Sequence, residues 1–172
     1  IYIGNYAFKD CTKLTLLTIP SNVNTLGNYV FEGCTTEIKW NNPTIQNLSQ
    51  CFIGYKGESI VIPSSVISLD NGAFSECTFK IIWDNPKIEN LGSGFVKYKG
   101  DTLEIPNSVT SISSGAFADC SNLKTLTIPS SVETIGRAVF SNCSCDIIWG
   151  NSQISNLNGT FYQYAGTKLV IP

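Results

Sequence analysis

Apolar residues recur along the chain in a pattern that repeats about every 22 residues. Each repeat opens with an apolar-x-apolar tripeptide, whose outer side chains point to one face of a β-strand and whose middle side chain points to the other. Further apolar positions follow at fixed offsets, as in Val23, Leu26 and Phe31. Because one repeat cannot bury its own apolar side, the pattern predicts one domain of stacked repeats over residues 1–172. The repeats start near residues 17, 38, 60, 81, 103, 126, 147 and 169.

Two kinds of repeat share this pattern in the order A-B-A-B-A-A-B-A. In type A, a proline that lacks an N–H follows the tripeptide and ends the strand. In type B, tryptophan closes the tripeptide and tyrosine stands where type A has cysteine. The type A prolines are Pro20, Pro63, Pro106, Pro129 and Pro172. The type B tryptophans are Trp40, Trp83 and Trp149.

One short strand per repeat predicts a parallel sheet, because strands joined through a long return path cannot pair as hairpins. The return path begins with a second extended stretch. Its next segment, such as Gly115–Cys120, is too short for more than one helical or 3₁₀ turn. The sequence therefore predicts a mainly β solenoid with about eight short parallel strands. The pairs Lys56-Gly57 and Lys99-Gly100 predict turns with glycine at positive φ.

The type A phrase resembles the BspA-like leucine-rich repeat family. Residues Leu126–Cys143, LTIPSSVETIGRAVFSNC, carry the resemblance most fully, and Leu103–Cys120 follows them with Ser113 at the glycine position. Type B repeats depart from the phrase but fill the same apolar columns. The resemblance implies a right-handed leucine-rich-repeat superhelix with a concave sheet. It further implies a cell-surface or secreted protein of a bacterium or parasitic protist, with a virulence-associated role in adhesion to host cells or matrix.

The middle residues of the strand tripeptides are the candidate binding positions, because in such a solenoid they line the concave sheet. Val61 with Ile82, and Ile148 with Val170, would make two outward apolar pairs on neighbouring repeats. Outward apolar clusters can mark a contact surface. The alternative is that these residues only satisfy β-propensity on a mixed surface. The full set is Thr18, Lys39, Val61, Ile82, Glu104, Thr127, Ile148 and Val170.

Five of the seven cysteines occupy one column of the repeats. They are either small buried apolar residues or partners in disulfides between adjacent repeats, namely Cys11–Cys34 and Cys120–Cys143. The remaining two cysteines, Cys51 and Cys145, lie off the column. Three asparagines fit the N-glycosylation pattern, which chance also produces in a chain rich in asparagine and serine. These are Asn47, Asn142 and Asn158.

The composition argues against several classes of function. The 172 residues include no histidine, which removes the commonest general base and metal ligand. With 11 basic and 13 acidic residues and no basic stripe, nucleic acid is not expected as a partner. No phosphate-binding loop or nucleophile motif is present, so we expect neither an enzyme nor a cofactor. No apolar run approaches the ~20 residues of a membrane span.

The sequence thus predicts a non-enzymatic protein-binding segment of an adhesin-like surface or secreted protein. Its expected partner is a host-cell or matrix protein, or a glycan. The alternative is a structural module whose copies stack head to tail, because residues 168–172 would leave an unpaired strand edge. The nearly integral number of repeats also leads us to expect a piece of a longer repeat protein.

Overall fold

The repeating tripeptides become short parallel strands stacked one above another. The computed structural model describes residues 1–84, 86–150 and 153–171, so the predicted phrase-ending Pro172 lies outside the described residues. Within these ranges the chain winds into a solenoid of about eight turns without a helix. In chain order the strands are β1 (Tyr2–Ile3), β2 (Leu16–Ile19), β3 (Thr25–Leu26), β4 (Glu37–Trp40), β5 (Asn47–Ser49), β6 (Ser59–Ile62), β7 (Ser68–Asp70), β8 (Lys80–Trp83), β9 (Asn90–Leu91), β10 (Thr102–Leu103), β11 (Ser111–Ile112), β12 (Thr125–Ile128), β13 (Thr134–Ile135), β14 (Asp146–Trp149) and β15 (Leu169–Val170).

The strands form two rows on different sides of the solenoid. The even-numbered strands and β15 are the predicted tripeptides, and we call them the front row. The other odd-numbered strands come from the predicted second extended stretch, and we call them the back row. In the front row the hydrogen-bonded groups are β2–β4, β6–β8 and β10–β12–β14–β15; in the back row they are β1–β3 and β5–β7–β9–β11–β13. Every pairing is parallel.

The front row is interrupted at two of its steps from a type B to a type A strand. When a type B strand follows a type A strand, four residues pair, and the next residue donates back to the earlier strand, as Asn41 N does to Ile19 O at 2.9 Å. At the steps from β4 to β6 and from β8 to β10, Pro63 or Pro106 stands at that position and has no N–H to donate. Among the described residues these two pairs of strands form no ladder, whereas β14 and β15, a further step from type B to type A, pair over two residues.

One phenylalanine from each turn of the solenoid stacks into a single column through the core. Neighbouring ring centroids lie 5.0–6.0 Å apart along the whole column. Each stacked pair adds roughly 0.5–1.5 kcal/mol beyond the burial of its area. The column therefore fixes the spacing and register of successive turns. Its members are Phe8, Phe31, Phe52, Phe74, Phe95, Phe117, Phe140 and Phe161.

A left-handed backbone residue follows every phenylalanine of this column. The second residue after each ring has φ between 54° and 74°. Only Gly33 and Gly54 among these eight are glycines, although positive φ is costly for other residue types. The turn that presents the phenylalanine ring thus imposes this conformation on Glu76 and Lys97 as well.

Tyrosine replaces the column cysteine in type B turns and makes a nearby glycine necessary. The hydroxyl of Tyr55 donates to Thr36 O at 2.6 Å. A Cβ on Gly57 would overlap the hydroxyl and ring of Tyr55, and Tyr98 stands in the same relation to Gly100. Neither glycine has positive φ. The prediction of positive-φ turns at Lys56-Gly57 and Lys99-Gly100 was therefore wrong: these glycines leave room for a ring.

Gly57→Ala should lower the free energy of unfolding by roughly 1–3 kcal/mol, because the added methyl group overpacks the Tyr55 ring. In a Tyr55→Cys background, which has the type A residue, the same change should cost less. Urea unfolding followed by far-UV circular dichroism measures the free energy of unfolding of the parent chain, the two single variants and the double variant. Gly4→Ala is the control, since its Cβ would meet only Tyr2, at 3.8 Å. An equal cost of Gly57→Ala in both backgrounds would contradict this account.

Candidate interaction surface

The structure places the predicted binding residues together on the outer side of the front row. Seven of the eight are exposed, and Val61 is half-buried. The predicted apolar neighbours are register partners: Val61 lies opposite Ile82, and Ile148 opposite Val170. A binding role for these residues stays a prediction, but their common orientation gives one continuous surface.

The outward apolar side chains are held in place by their buried neighbours. Ile82 and Ile148 are 41% and 40% exposed, whereas Ile81 and Ile147, one residue earlier on the same strands, are buried in the core. Since side chains alternate along a strand, burial of one residue fixes the next one outward. The outward residues cannot turn away from solvent without unpacking the core.

A groove of about 470 Å³ lies at the interruption between β4 and β6. Trp40, Val61 and Pro63 contribute to its walls. The indole N–H of Trp40 crosses the interruption and donates to Val61 O at 2.6 Å. At the interruption between β8 and β10, Trp83 donates in the same way to Glu104 O at 2.9 Å. The type B indole thus supplies a hydrogen bond across each of these two interruptions.

The tryptophans occupy the last position of the type B tripeptides, and the structure shows that all three pack on the core and that Trp40 and Trp83 also donate hydrogen bonds. Trp40 packs edge-on against Phe52, with centroids 6.4 Å apart, and remains half-buried. In the sequence, this hydrogen-bonding role is visible only as the alternation of tryptophan and proline at the ends of the strands. Trp149 packs likewise on Phe161, but its Nε1 has no hydrogen-bond partner among the described residues.

Charges on the front row are mixed in sign and lie in solvent. Glu37 and Lys39 form an ion pair at 3.7 Å, with both side chains more than half exposed. Just before β10 and β12, Asp101 and Lys124 form another, at 3.2 Å. Exposed pairs of this kind contribute at most about 1 kcal/mol. The mixed signs give this surface no single-sign field of the kind that steers a charged partner.

The cysteine column lies inside the solenoid, and all seven cysteines are free thiols. The thiol of Cys77 donates to Phe52 O at 2.8 Å, and that of Cys120 to Phe95 O at 3.0 Å. Burial raises the pKa of both thiols to about 12, so they are neutral at physiological pH. The predicted disulfides Cys11–Cys34 and Cys120–Cys143 are not formed in this structure and stay predictions.

The three asparagines of the glycosylation pattern are exposed, and two of them have bonded side-chain amides. Asn47 Nδ2 donates to Ser68 Oγ at 2.7 Å and to Asp70 Oδ2 at 2.8 Å. Asn142 Nδ2 donates to Asp119 Oδ1 at 2.9 Å. For Asn158 the structure shows a backbone bond instead, from its N–H to the side chain of Asn156. Glycosylation at these positions stays a prediction.

Two further observations concern other kinds of site. Over residues 1–84, 86–150 and 153–171, acidic and cysteine side chains nowhere gather into a group of three or more that could hold a metal ion. The same ranges contain no helix with the length and apolar character needed to cross a membrane.

Comparisons with known proteins agree with this architecture. The family model for the BspA type leucine rich repeat region matches residues 1–98 and 92–168, with 6 copies. The pneumococcal vaccine antigen PcpA has a similar structure, with a TM-score of 0.58 and 20% identity over 88% of this chain and 44% of that one. The chain thus spans less than half the length of PcpA in that structure.

Two other solved structures share less of their geometry with the chain. A leucine-rich repeat protein from Bacteroides ovatus is 22% identical over 99% of this chain and 64% of that one, with a TM-score of 0.40. A leucine rich cell surface protein from Faecalibacterium prausnitzii is 17% identical over 98% and 72%, with a TM-score of 0.34. No curated protein sequence matches the chain.

Replacing Trp40 by benzothienylalanine, which has sulfur in place of the indole N–H, should lower the free energy of unfolding by about 0.5–1.5 kcal/mol. Because the ring keeps its size, the decrease in the free energy of unfolding reports the loss of the hydrogen bond to Val61 O. The same replacement at Trp149 is the control and should cost less, because its N–H has no acceptor among the described residues. Urea unfolding measures both variants, and equal losses would refute the bridging role of Trp40.

Proposed function

Because the chain belongs to the BspA-type leucine-rich repeat family, we propose that it is a non-enzymatic segment that binds a host-cell or matrix protein through the front row. The observation that carries this proposal is the pair of outward apolar clusters, Val61 with Ile82 and Ile148 with Val170. These side chains lie on a hydrogen-bonded frame and are surrounded by polar and charged residues. Protein interfaces have the same arrangement of an apolar centre and a polar rim.

The chemistry of the front row favours a protein over a glycan as the partner. Sugar rings are typically held by aromatic faces that stack on them and by polar groups that bond their hydroxyls. The tryptophans of the front row turn inward: Trp149 is buried, and the N–H groups of Trp40 and Trp83 are used on backbone carbonyls. The predicted binding residues are aliphatic, threonine or singly charged, and aliphatic groups match the apolar side chains of another protein.

The hydrogen-bonded strands of the front row also limit the conformational entropy that is lost on binding. Every front-row strand is hydrogen-bonded to at least one neighbour, β12 and β14 are bonded on both sides, and alternate residues are locked in the core. A surface that is already ordered loses little conformational freedom on association. Successive turns repeat at ~4.8 Å, so a partner lying along the row would contact several turns at once.

We propose a cell surface or the secreted state as the location, since the family resemblance implies it. The absence of histidine from the sequence supports a role in binding rather than catalysis. Head-to-tail stacking of copies is the competing role. It predicts an assembly whose size grows with protein concentration, which light scattering measures.

The double variant Ile82→Asp/Ile148→Asp should reduce binding to cultured epithelial cells and to immobilised matrix proteins roughly tenfold or more, because two apolar contacts are replaced by solvated charges. Ile67→Asp is the matched control: Ile67 is 47% exposed but lies outside the front row, so binding should persist. Far-UV circular dichroism and thermal unfolding verify that all the variants fold.

Treatment of the target cells separates protein from glycan partners. Mild protease digestion of the cell surface should abolish binding, whereas periodate oxidation of its sugars should not. Binding that survives protease and is lost after periodate would contradict a protein partner. Unchanged binding by the folded double variant would contradict the front row as the site.

A further inference from the structure

Two buried thiols approach each other closely where the chain enters β14. Cys143 and Cys145 are separated only by Ser144, and both have 0% exposure. Their sulfur atoms lie 3.1 Å apart. That separation exceeds the ~2.05 Å of a disulfide bond by only about 1 Å. A small adjustment of the two side chains would therefore bring the sulfurs within bonding distance.

The cysteine column suggests that the thiol of Cys143 meets the thiol of Cys120, but in the structure it meets the thiol of Cys145. In the column, Cys120 is the adjacent residue, but its thiol points to Phe95 O at 3.0 Å. Cys143 meets the backbone of Cys120 instead, with its Sγ 3.4 Å from Cys120 O. The thiol that Cys143 meets directly belongs to the off-column Cys145.

The hydrogen bond between the two thiols makes them chemically different. The hydrogen bond shared by the pair lowers the pKa of Cys143 and raises the pKa of Cys145. A lowered pKa favours the thiolate, which is the form that attacks disulfides. Cys77 and Cys120, with pKa values of about 12, remain protonated at neutral pH.

We propose that Cys143 and Cys145 form an intramolecular disulfide by exchange with a small-molecule disulfide such as oxidised glutathione. The Cys143 thiolate attacks one sulfur of the oxidant and expels one glutathione thiolate, leaving a mixed disulfide. Cys145 then gives its proton to solvent and attacks the Cys143 sulfur, which releases the second glutathione. The two protein thiols are oxidised, and the glutathione disulfide is reduced to two thiols.

Burial determines when this exchange takes place. In the folded protein both sulfurs are shielded from solvent, so the oxidant meets them while the chain folds or when this turn opens. Once formed, the bond is shielded from reductants in the same way. It would fix the turn just before β14, where Cys145 O accepts a hydrogen bond from Tyr164 Oη at 2.6 Å. This inference relies on the proposed function only for an oxidising compartment.

Peptide mapping of the refolded chain tests the proposal without any binding partner. The protein is refolded in a glutathione redox buffer, alkylated with N-ethylmaleimide in denaturant, and digested with trypsin. Cleavage after Lys99, Lys124, Arg137 and Lys168 puts Cys143 and Cys145 in peptide 138–168 and Cys120 in peptide 100–124. We expect peptide 138–168 to be unalkylated and lighter by two hydrogen atoms than its reduced form, with peptide 100–124 alkylated.

Two results would overturn the proposal. Alkylation of both cysteines in peptide 138–168 would show that no bond forms, and a cross-link between peptides 100–124 and 138–168 would show that Cys120 is the partner. Cys145→Ser should leave Cys143 trapped as a mixed disulfide with glutathione. Cys51→Ser is the matched control, because Cys51 is also buried and off the column and its loss should leave peptide 138–168 oxidised.

Discussion

The stacked phenylalanine column is the constraint on which the rest of this structure depends. Each ring lies 5.0–6.0 Å from the next, so every turn contributes a ring at an equivalent position. This stacking sets the backbone around the ring, including the positive φ two residues later at positions as different as Gly33 and Lys97. Because successive turns of the solenoid have equivalent backbones, their strands lie parallel and in register in both rows.

The two kinds of repeat complement each other in hydrogen bonding. At the steps from β4 to β6 and from β8 to β10, the proline of the type A turn cannot donate to the preceding strand, and the tryptophan of the type B turn provides another bond between the two turns, as Trp40 does to Val61 O. Tyrosine in the type B turn likewise reaches a backbone carbonyl, and Gly57 makes space for it. The front row is interrupted at these steps, and a groove beside the proposed binding surface is the result.

Much of the fold could be predicted because the repeat pattern is local and is copied many times. The tripeptides predicted the strands, and the type A phrase predicted the family. The reason for Gly57 was not predictable, because the ring that excludes a side chain there belongs to Tyr55 in a conformation set by packing. The candidate surface was predictable as a set of outward residues, since alternation on a strand is a property of the backbone.

The sequence by itself determined the period, the inward and outward positions and the order of the two repeat types. These follow from side-chain direction, which local geometry fixes. Only the tertiary structure decided which groups meet between and within turns: indole with carbonyl across an interruption, and Cys143 with Cys145 instead of Cys120. Such contacts depend on the path of the backbone to within about 1 Å, and a repeat pattern does not specify distances that finely.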